Sequence, residues 1–506
     1  MLQLTNPQEA AQWLQTKVTG VLHTDSREVK AGDGFIAWPG ARTDGRQYVR
    51  QSIKHGARAC LVEKNEISVH ALERLDGNVA CYSGLKKATG WIAAEYYGHP
   101  SSAMDVIAVT GTNGKTSTVW WLAQALSALK TSLAKKCGMI GTLGVGQPAL
   151  VSADPAESQP IVSNGLTTPD PVLLQQAFRN FVNTGFTACA IEASSIGIAE
   201  ERLSGTKITV AVFTNFTQDH LDYHSSMDAY WEAKLRLFAW PTLQAVVVNI
   251  DDQKGRDLLA TFKSGQFEIW TTSIFEKARL SAHGIGYFEN GLQFKVTEGQ
   301  QTFLLRTPMI GAYNVSNLLG VIASMRTLGV GLESAVEACQ LLTPVPGRMD
   351  CVSSAGQPSV IVDYAHTPDA LKNALIALRL MANQRHGRLI CIFGCGGNRD
   401  TSKRPLMAAI AEAYADTVVV TSDNSRNESQ EHIFSQIMGG FHQPAKVTLE
   451  SDRATAILQS IQNAQPSDVI LIAGKGHENY QEIGLERYFF SDKAQAISAL
   501  DRRCAA

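Results

Sequence analysis

The chain has 506 residues, enough for about three domains with separate cores. Its composition is 44% hydrophobic and 18% charged, with a net charge of −2. No general basic field exists to attract nucleic acid or anionic lipid, and no long run of like charge suggests a solvated tail.

The first stretch, "MLQLTNPQEAAQWLQ", lacks a basic segment followed by an apolar one, so it does not read as a secretory signal. No window approaches the roughly 18 apolar residues that a bilayer span requires. Nine cysteines are scattered along the chain, and the closest pair, Cys391 and Cys395, has no histidine companions. That spacing suits zinc poorly, so buried reduced thiols and a cytoplasmic protein are expected.

Strand-like and helix-like runs alternate throughout, which predicts an α/β protein with mostly parallel sheets. Pattern breaks at "YYGHPSSAMD" (96–105) and "LLTPVPGRMD" (341–350) divide the chain into residues 1–100, 101–345 and 346–506.

The second segment opens on "DVIAVTGTNGKTSTVWWLAQALSAL". A short apolar strand, Val106–Val109, runs into Gly111, Thr112, Asn113, Gly114, Lys115, Thr116 and Ser117. Val119, Leu122, Ala123 and Leu126 then recur at helical spacing. Strand, glycine turn and helix in that order place backbone N–H groups and a positive helix end around a phosphate. Lys115 would reach the terminal phosphates and the Thr116 hydroxyl would ligate Mg²⁺. Only two residues separate the glycines, where the full Walker pattern has four, so the alternative is a tight turn presenting an exposed lysine. The loop alone fits a motor, a switch GTPase or a kinase.

Further along, Glu192 follows the run Ala188–Ile191, and His220 follows "VAVFTNFTQD". Both fall where strands should end, on the ligand-facing side of an open α/β sheet. Glu192 could equally cap the next helix, and His220 could be satisfied in the core. Lys234 in "AYWEAKLRLF" reads by itself as a helix-surface lysine. Asn314 in "GAYNVSN" occupies a good capping position before an apolar periodic stretch. Thr367 and Pro368 are expected to cap and open a helix after the strand 359–362. Gly394, Gly396 and Gly397 do not complete a dinucleotide fingerprint, because Arg399 stands at the final glycine position. The strands before Arg399 and Arg426 belong to one strand–helix–strand unit, so right-handed crossover brings both arginines to one rim. Two guanidinium groups there suit a carboxylate; the alternative is two solvated loop arginines.

"GTNGKTST" in this setting resembles the Mur ligase family, the ATP-dependent amide ligases of peptidoglycan precursor synthesis. The match continues in order through "DSREVKAGDGFIAWPGARTDG", "LTTPD", "EASSIGIAEERL", "FTNFTQDHLDYH", "YWEAK", "GAYNVSN", "PGRMD", "VDYAHTPDAL", "FGCGGNRDTSKRP", "DNSR" and "AGKGHENYQ". The resemblance implies an N-terminal UDP-sugar-binding domain, a central P-loop ATPase domain and a Rossmann-like C-terminal domain that binds the amino acid. Within the family it is most similar to the ligases that add the third stem-peptide residue to UDP-N-acetylmuramoyl-L-alanyl-D-glutamate. It implies ATP and Mg²⁺ as cofactors, no nucleic-acid or membrane partner, and a monomer.

By resemblance, Glu192, His220 and a CO₂-carbamylated Lys234 join Thr116 around Mg²⁺. Asn314 reaches adenine, Arg348 meets the nucleotide on domain closure, and Asp363 and Tyr364 meet ribose and base. Thr24, Ser26, Ala41, Arg42, Thr43, Thr167, Thr168, Ser194, Glu200 and Arg202 match the UDP-sugar-peptide site. Hydroxyl residues in such loops are otherwise turn formers, and the resemblance favours an uncharged glutamine at Glu200. Arg399, Asp423, Asn424, Ser425, Arg426, Gly474 and Glu478 match the amino-acid site. Diaminopimelate-adding members carry Asp-Asn-Pro-Arg there, with the arginine on the distal carboxylate, whereas lysine-adding members generally lack it. Arg426 therefore points to meso-diaminopimelate, with Ser425 in place of the proline. The competing readings are lysine or ornithine as the added residue, glutamate addition to folate, and a nucleotide-binding scaffold without catalysis.

Overall fold

The structure, a computed structural model, describes residues 1–40, 43–65, 78–150, 160–288, 291–352 and 356–504. Three α/β layers follow one another along the chain.

Leu2–Leu4, Val79–Tyr82, Ala59–Glu63, Gly34–Ala37 and Leu22–His23 pair in that order as a parallel sheet. Its inner strands, buried on both faces, read as largely apolar runs rather than alternating ones.

The second layer is a ten-stranded sheet centred on Asp105–Thr110. That strand has Val210–Phe213 on one side and Ala188–Glu192 on the other, both parallel to it. Chain order reverses there, and such a switch point leaves a crevice outside the carboxyl ends of the strands. The helix Lys115–Ala128 leaves this strand through the glycine turn. Val119, Leu122, Ala123 and Leu126 are fully buried, as their spacing predicts. Antiparallel strands Leu280–Phe288, Gly291–Glu298 and Gln301–Thr307 extend the far edge.

The third layer has six strands, with Ser359–Asp363, Val469–Ala473, Leu389–Phe393 and Thr417–Val420 parallel at its centre. Thr367 caps the helix Pro368–Gln384 through the Ala370 N–H, with Pro368 in the first turn, as expected. Leu389–Phe393 and Thr417–Val420 are immediate neighbours, so the loops carrying Arg399 and Arg426 leave the same edge side by side.

The core of this layer contains a charge pair. Arg453 and Asp492 are both fully buried and joined by Nε–Oδ1 and Nη2–Oδ2 bonds of 2.7 and 2.8 Å. Arg453 also donates to the carbonyls of Ser422 and Ala473, at the ends of two central strands. Asp492→Ala leaves that guanidinium unpaired, and the expected loss of stability is about 3–5 kcal/mol. Urea unfolding followed by far-UV circular dichroism checks it; an unchanged midpoint would contradict the role given to the pair.

Among the described residues, no helix is long and apolar enough to cross a membrane. Among the described residues seven cysteines are buried free thiols, and Cys351 is exposed. Cys391 and Cys395 are among the buried ones, as expected.

Candidate active site

Gly111 and Gly114 take φ values of 145° and 85°. No side chain caps the helix that follows, so its first-turn N–H groups face the crevice. A methyl group on Gly114 would stand 2.3 Å from Asn317 Oδ1, which explains glycine there on packing as well as torsion. Lys115 Nζ folds back onto the carbonyls of Gly111 and Thr112, at 3.0 and 2.8 Å. It is not the exposed lysine of the alternative reading; burial pushes its pKa down, countered in part by Glu192 and Asp219.

Glu192 ends its strand, fully buried, and its carboxylate accepts from the Thr142 N–H at 2.8 Å and hydroxyl at 3.2 Å. It does not cap the next helix: Ser194 does, accepting from Gly197 N–H. His220 has a left-handed backbone, φ 55°, uncommon outside glycine. Burial first, then the nearby Lys115 and Lys234 charges, lowers its pKa to about 4, so the ring is neutral at physiological pH.

Lys234 overturns the helix-surface reading. It is 1% exposed, its Nζ donates to Gly111 O at 2.8 Å, and it lies 4.4 Å above the Tyr230 ring. Burial, followed by repulsion from Lys115, holds its pKa well below the ordinary lysine value. Tyr230 links the group: its hydroxyl meets Thr112 Oγ1 at 3.2 Å, and its ring packs edge-on against His220.

Asn314 corrects the capping expectation. The helix Tyr313–Thr327 starts two residues earlier than a cap at Asn314 would place it, after a turn at Gly311 with φ 93°, and has no side-chain cap. Asn314 instead donates to Ile310 O and accepts from Asn317 Nδ2. It lines a 380 Å³ cavity with Asn113, Gly114, Ser117, Arg348, Asp363 and Tyr364. That volume lies within the usual range for a small-molecule site, about 300–1,000 Å³. Arg348 closes one wall: its Nη2 donates to Thr116 Oγ1 at 3.1 Å and its guanidinium stacks 4.3 Å over Tyr364. Its Nε is buried without a hydrogen-bond partner, a donor suited to an incoming acceptor. Asp363 accepts from the Met349 and Ala365 N–H groups.

Contacts from the third layer complete this wall. Asp369 accepts from Asn113 Nδ2 at 3.2 Å, and His366 approaches Asp219 Oδ2 at 3.8 Å. Burial opposes ionisation of Asp219, but His366, His220 and Lys403 outweigh it and hold the carboxyl well below its usual pKa. Sequence reasoning missed Asp219, Tyr230 and His366, although all three stand inside the quoted motifs.

For Mg²⁺, no group of three His, Cys, Asp or Glu side chains is arranged to hold a metal among the described residues. The Thr116 hydroxyl and Glu192 carboxylate are the oxygen donors a hard cation prefers. Neutral His220 keeps a nitrogen lone pair. Lys234 as an amine adds no anionic oxygen; as a carbamate it would. The donor chemistry therefore fits, provided Lys234 is modified.

Near the first layer, burial raises the Asp170 carboxyl pKa, countered by the Leu173 and Val172 N–H groups and by the nearby Thr24 side chain. Thr168 donates to Glu192 O and meets Ser194 Oγ at 2.9 Å, while Arg202 donates to Thr168 O. Thr167 joins through Thr142 Oγ1 at 3.1 Å. Thr24, Thr167, Thr168, Ser194 and Arg202 thus form one neighbourhood beside Glu192. Ser26 and Thr43 follow the strands Leu22–His23 and Gly34–Ala37, Ser26 buried and Thr43 exposed. Ala41 and Arg42 lie outside the described residues. Glu200 is ion-paired to Lys86 at 2.6 Å and hydrogen-bonded by Tyr223.

On the third layer, Arg399 and Arg426 flank Gly396, with Arg426 Nη1 on Gly397 O at 2.9 Å and Arg399 Nη1 on Asp222 at 3.1 Å. Arg426 is held by these bonds rather than solvated, whereas Arg399 is exposed and ion-paired. Asn424 donates to Glu478 and accepts from Lys475, and Lys475 pairs with Glu478 at 2.9 Å. Lys475, fully buried, escaped the sequence reading. Gly474, φ 117°, leads the chain from the strand end into this cluster, where Asp423 is half-buried.

A phosphate loop at a sheet switch point, faced by a carboxylate, a neutral histidine and a buried lysine, defines a nucleotide-dependent group-transfer site. The chain belongs to the Mur ligase family: it matches the family's catalytic domain over residues 19–97, the middle domain over 109–325 and the glutamate ligase domain over 347–476. A UDP-N-acetylmuramoyl-L-alanyl-D-glutamate--2,6-diaminopimelate ligase from Acidovorax sp. (strain JS42) is 55% identical over 503 residues, 99% of this chain and 98% of the relative. A solved structure of a ligase of the same name superposes with a TM-score of 0.62 at 33% identity, covering 96% of this chain and 95% of that one. The MurF ligase of Thermotoga maritima, solved with ADP, shares the fold at 16% identity, with a TM-score of 0.66 over 97% of this chain and 99% of that one.

Gly114→Ala combines a left-handed backbone with the Asn317 clash, so ADP binding should weaken at least about tenfold. Calorimetric titration with ADP measures it, and unchanged affinity would contradict the phosphate-loop assignment.

Proposed function

We propose that this amide-bond-forming ligase joins meso-2,6-diaminopimelate to the D-glutamyl side-chain carboxylate of UDP-N-acetylmuramoyl-L-alanyl-D-glutamate, cleaving ATP to ADP and phosphate. The observation that carries the reading is the placement of the Arg399–Arg426 rim on the same edge as the wall that closes over the phosphate loop. The names of the full-length relatives support the choice of substrates.

A carboxylate oxygen attacks the γ-phosphorus, the bond to ADP breaks, and an acyl phosphate forms. The amine nitrogen then attacks the acyl carbon, the C–O bond to phosphate breaks, and the amine's proton leaves. Such chemistry needs positioning and charge neutralisation more than covalent help. Lys115, the N–H groups from Gly114 to Ser117 and Arg348 neutralise the phosphates, with Gly111, Thr112 and Asn113 shaping the loop (the Thr112 and Asn113 N–H groups are bonded to Asn215), while Asn314, Asp363 and Tyr364 hold adenosine. Thr24, Ser26, Ala41, Arg42, Thr43, Thr167, Thr168, Ser194, Glu200 and Arg202 hold the UDP-sugar peptide. Arg399 and Arg426 grip the distal carboxylate, and Glu478, with Asp423 and Asn424 beside it, receives the distal ammonium.

Thr116, Glu192, His220 and carbamylated Lys234 are the residues that would hold Mg²⁺, which when bound adds charge neutralisation at the transferring phosphoryl group. Burial favours the neutral Lys234 amine, the form that adds to CO₂ and releases a proton to give the carbamate. We assign domains to 1–100, 101–345 and 346–506, and a monomeric, cytoplasmic protein; the seven buried free thiols among the described residues support the compartment.

Dipeptide labelled with ¹⁸O in the D-glutamyl side-chain carboxylate tests the mechanism. One labelled oxygen should appear in inorganic phosphate for each amide formed. Unlabelled phosphate would contradict the acyl-phosphate route.

A further inference from the structure

The rim that carries Arg399 and Arg426 consists of two loops, 394–400 and 421–429, and what fixes their spacing lies beneath them. Arg404, at the start of the helix Lys403–Tyr414, is fully buried. Its Nη1 and Nη2 meet the two Glu428 oxygens at 2.5 and 2.8 Å, a bidentate pair. Nη1 also donates to Gln436 Oε1, and Nη2 to Gly396 O at 3.0 Å. Glu428 Oε2 accepts from Asn398 N–H at 2.9 Å as well. One arginine and one glutamate therefore tie both loops to the same helix.

Three further bonds cross between the loops: Gly397 N–H to Asn424 O, Asn427 N–H to Asn398 Oδ1, and Arg426 Nη1 to Gly397 O. On its other side Arg426 is joined to the hairpin Tyr480–Phe489 by Arg426 N–H to Glu482 O and Gly484 N–H to Arg426 O. Arg426 has φ 51°, a left-handed conformation that a side-chain-bearing residue keeps only when its surroundings impose it. Ser425, just before it, is buried, and its N–H has no hydrogen-bond partner among the described residues.

We propose that buried Arg404 and its partner Glu428 form a positioning clamp that sets the spacing of Arg399 and Arg426, and so the affinity of the site for the carboxylate-bearing end of the incoming amino acid. Neither member touches the substrate. The clamp does the work that a stiffer chain at residue 425 would otherwise do. The Arg404 hydrogen bond is the main influence lowering the Glu428 carboxyl to about 2, so the pair stays charged across any assay pH near neutrality.

The inference rests on the diaminopimelate reading for its substrate, and its test separates the two. Glu428→Gln keeps the shape and removes the charge. Amide exchange of residues 424–428 should quicken at least about tenfold, without any substrate present. The KM for meso-diaminopimelate should rise at least about fivefold, while kcat and the KM values for ATP and the UDP-dipeptide stay within about twofold. Adding Ser425→Pro to Glu428→Gln should recover much of both changes, because a proline restrains a loop whose N–H is unused. Glu428→Asp, which retains the charge, should fall between wild type and Glu428→Gln, and serves should the glutamine variant not fold.

Unchanged exchange would overturn the clamp, as would faster exchange with an unchanged diaminopimelate KM. A rise in all three KM values with a fall in kcat, unrelieved by Ser425→Pro, would reduce the pair to general scaffolding. Wild-type protein inactive with meso-diaminopimelate would remove the substrate reading, and the exchange data alone would then decide the clamp.

Discussion

Lys234→Ala is expected to lower the rate of amide formation by about 10²–10³, with partial recovery on adding short-chain carboxylates. The lysine is enclosed between Gly111 O and the Tyr230 ring, with Lys115 close enough to repel it. An ammonium there would add a second cation beside the one that the phosphates already require. Converted to a carbamate, the same side chain supplies an anion and balances the charge of Lys115. A small carboxylate can enter the space left by alanine and restore that anion. Steady-state phosphate release across a series of added carboxylates measures the effect; full activity without any addition would remove Lys234 from the mechanism.

Arg426→Ala should reduce kcat/KM for meso-diaminopimelate at least about tenfold, because a hydrogen bond to a charged group contributes about 1.5–3 kcal/mol. Ser425→Pro should change it little, since a proline's restraint is worth about 0.4–1 kcal/mol. The geometry strengthens that ranking: Arg426 Nη1 already rests on Gly397 O, and Nε lies 3.5 Å from Glu482, so the guanidinium is aimed before the substrate arrives. Preorganisation of this kind reduces the cost of binding. Competition kinetics with the two variants decide the order, and a larger effect from residue 425 would contradict it.

Much of this was readable in one dimension because the signals are local. The phosphate loop lies between a β-branched run and a helical one, and Thr367-Pro368 is a cap whose partners lie within one turn. Parallel strands before Arg399 and Arg426 follow from crossover handedness alone. Lys234 by itself reads as a surface lysine, although its spacing holds the answer. Tyr230, Trp231, Lys234, Leu237 and Phe238 share one face of the helix Met227–Phe238, and that face is the buried one. A lysine on an apolar stripe is a candidate for desolvation rather than a surface residue. Asn314 does not cap its helix because a glycine turn at Gly311 starts that helix two residues early. What could not be read is non-local. Asp219 meets His366, Arg404 meets Glu428 and Arg453 meets Asp492 only after separate strands have paired. Lys475 is three residues from Glu478, yet its pairing shows only once Asn424 is brought beside both.

The most direct test of the whole account is phosphate release with ATP and UDP-N-acetylmuramoyl-L-alanyl-D-glutamate against a panel of amino acids that includes meso-diaminopimelate, lysine, ornithine and glutamate. Release that depends on the dipeptide and is strong only with meso-diaminopimelate is the predicted result. Release favouring lysine or ornithine, or none with any amino acid, would contradict it.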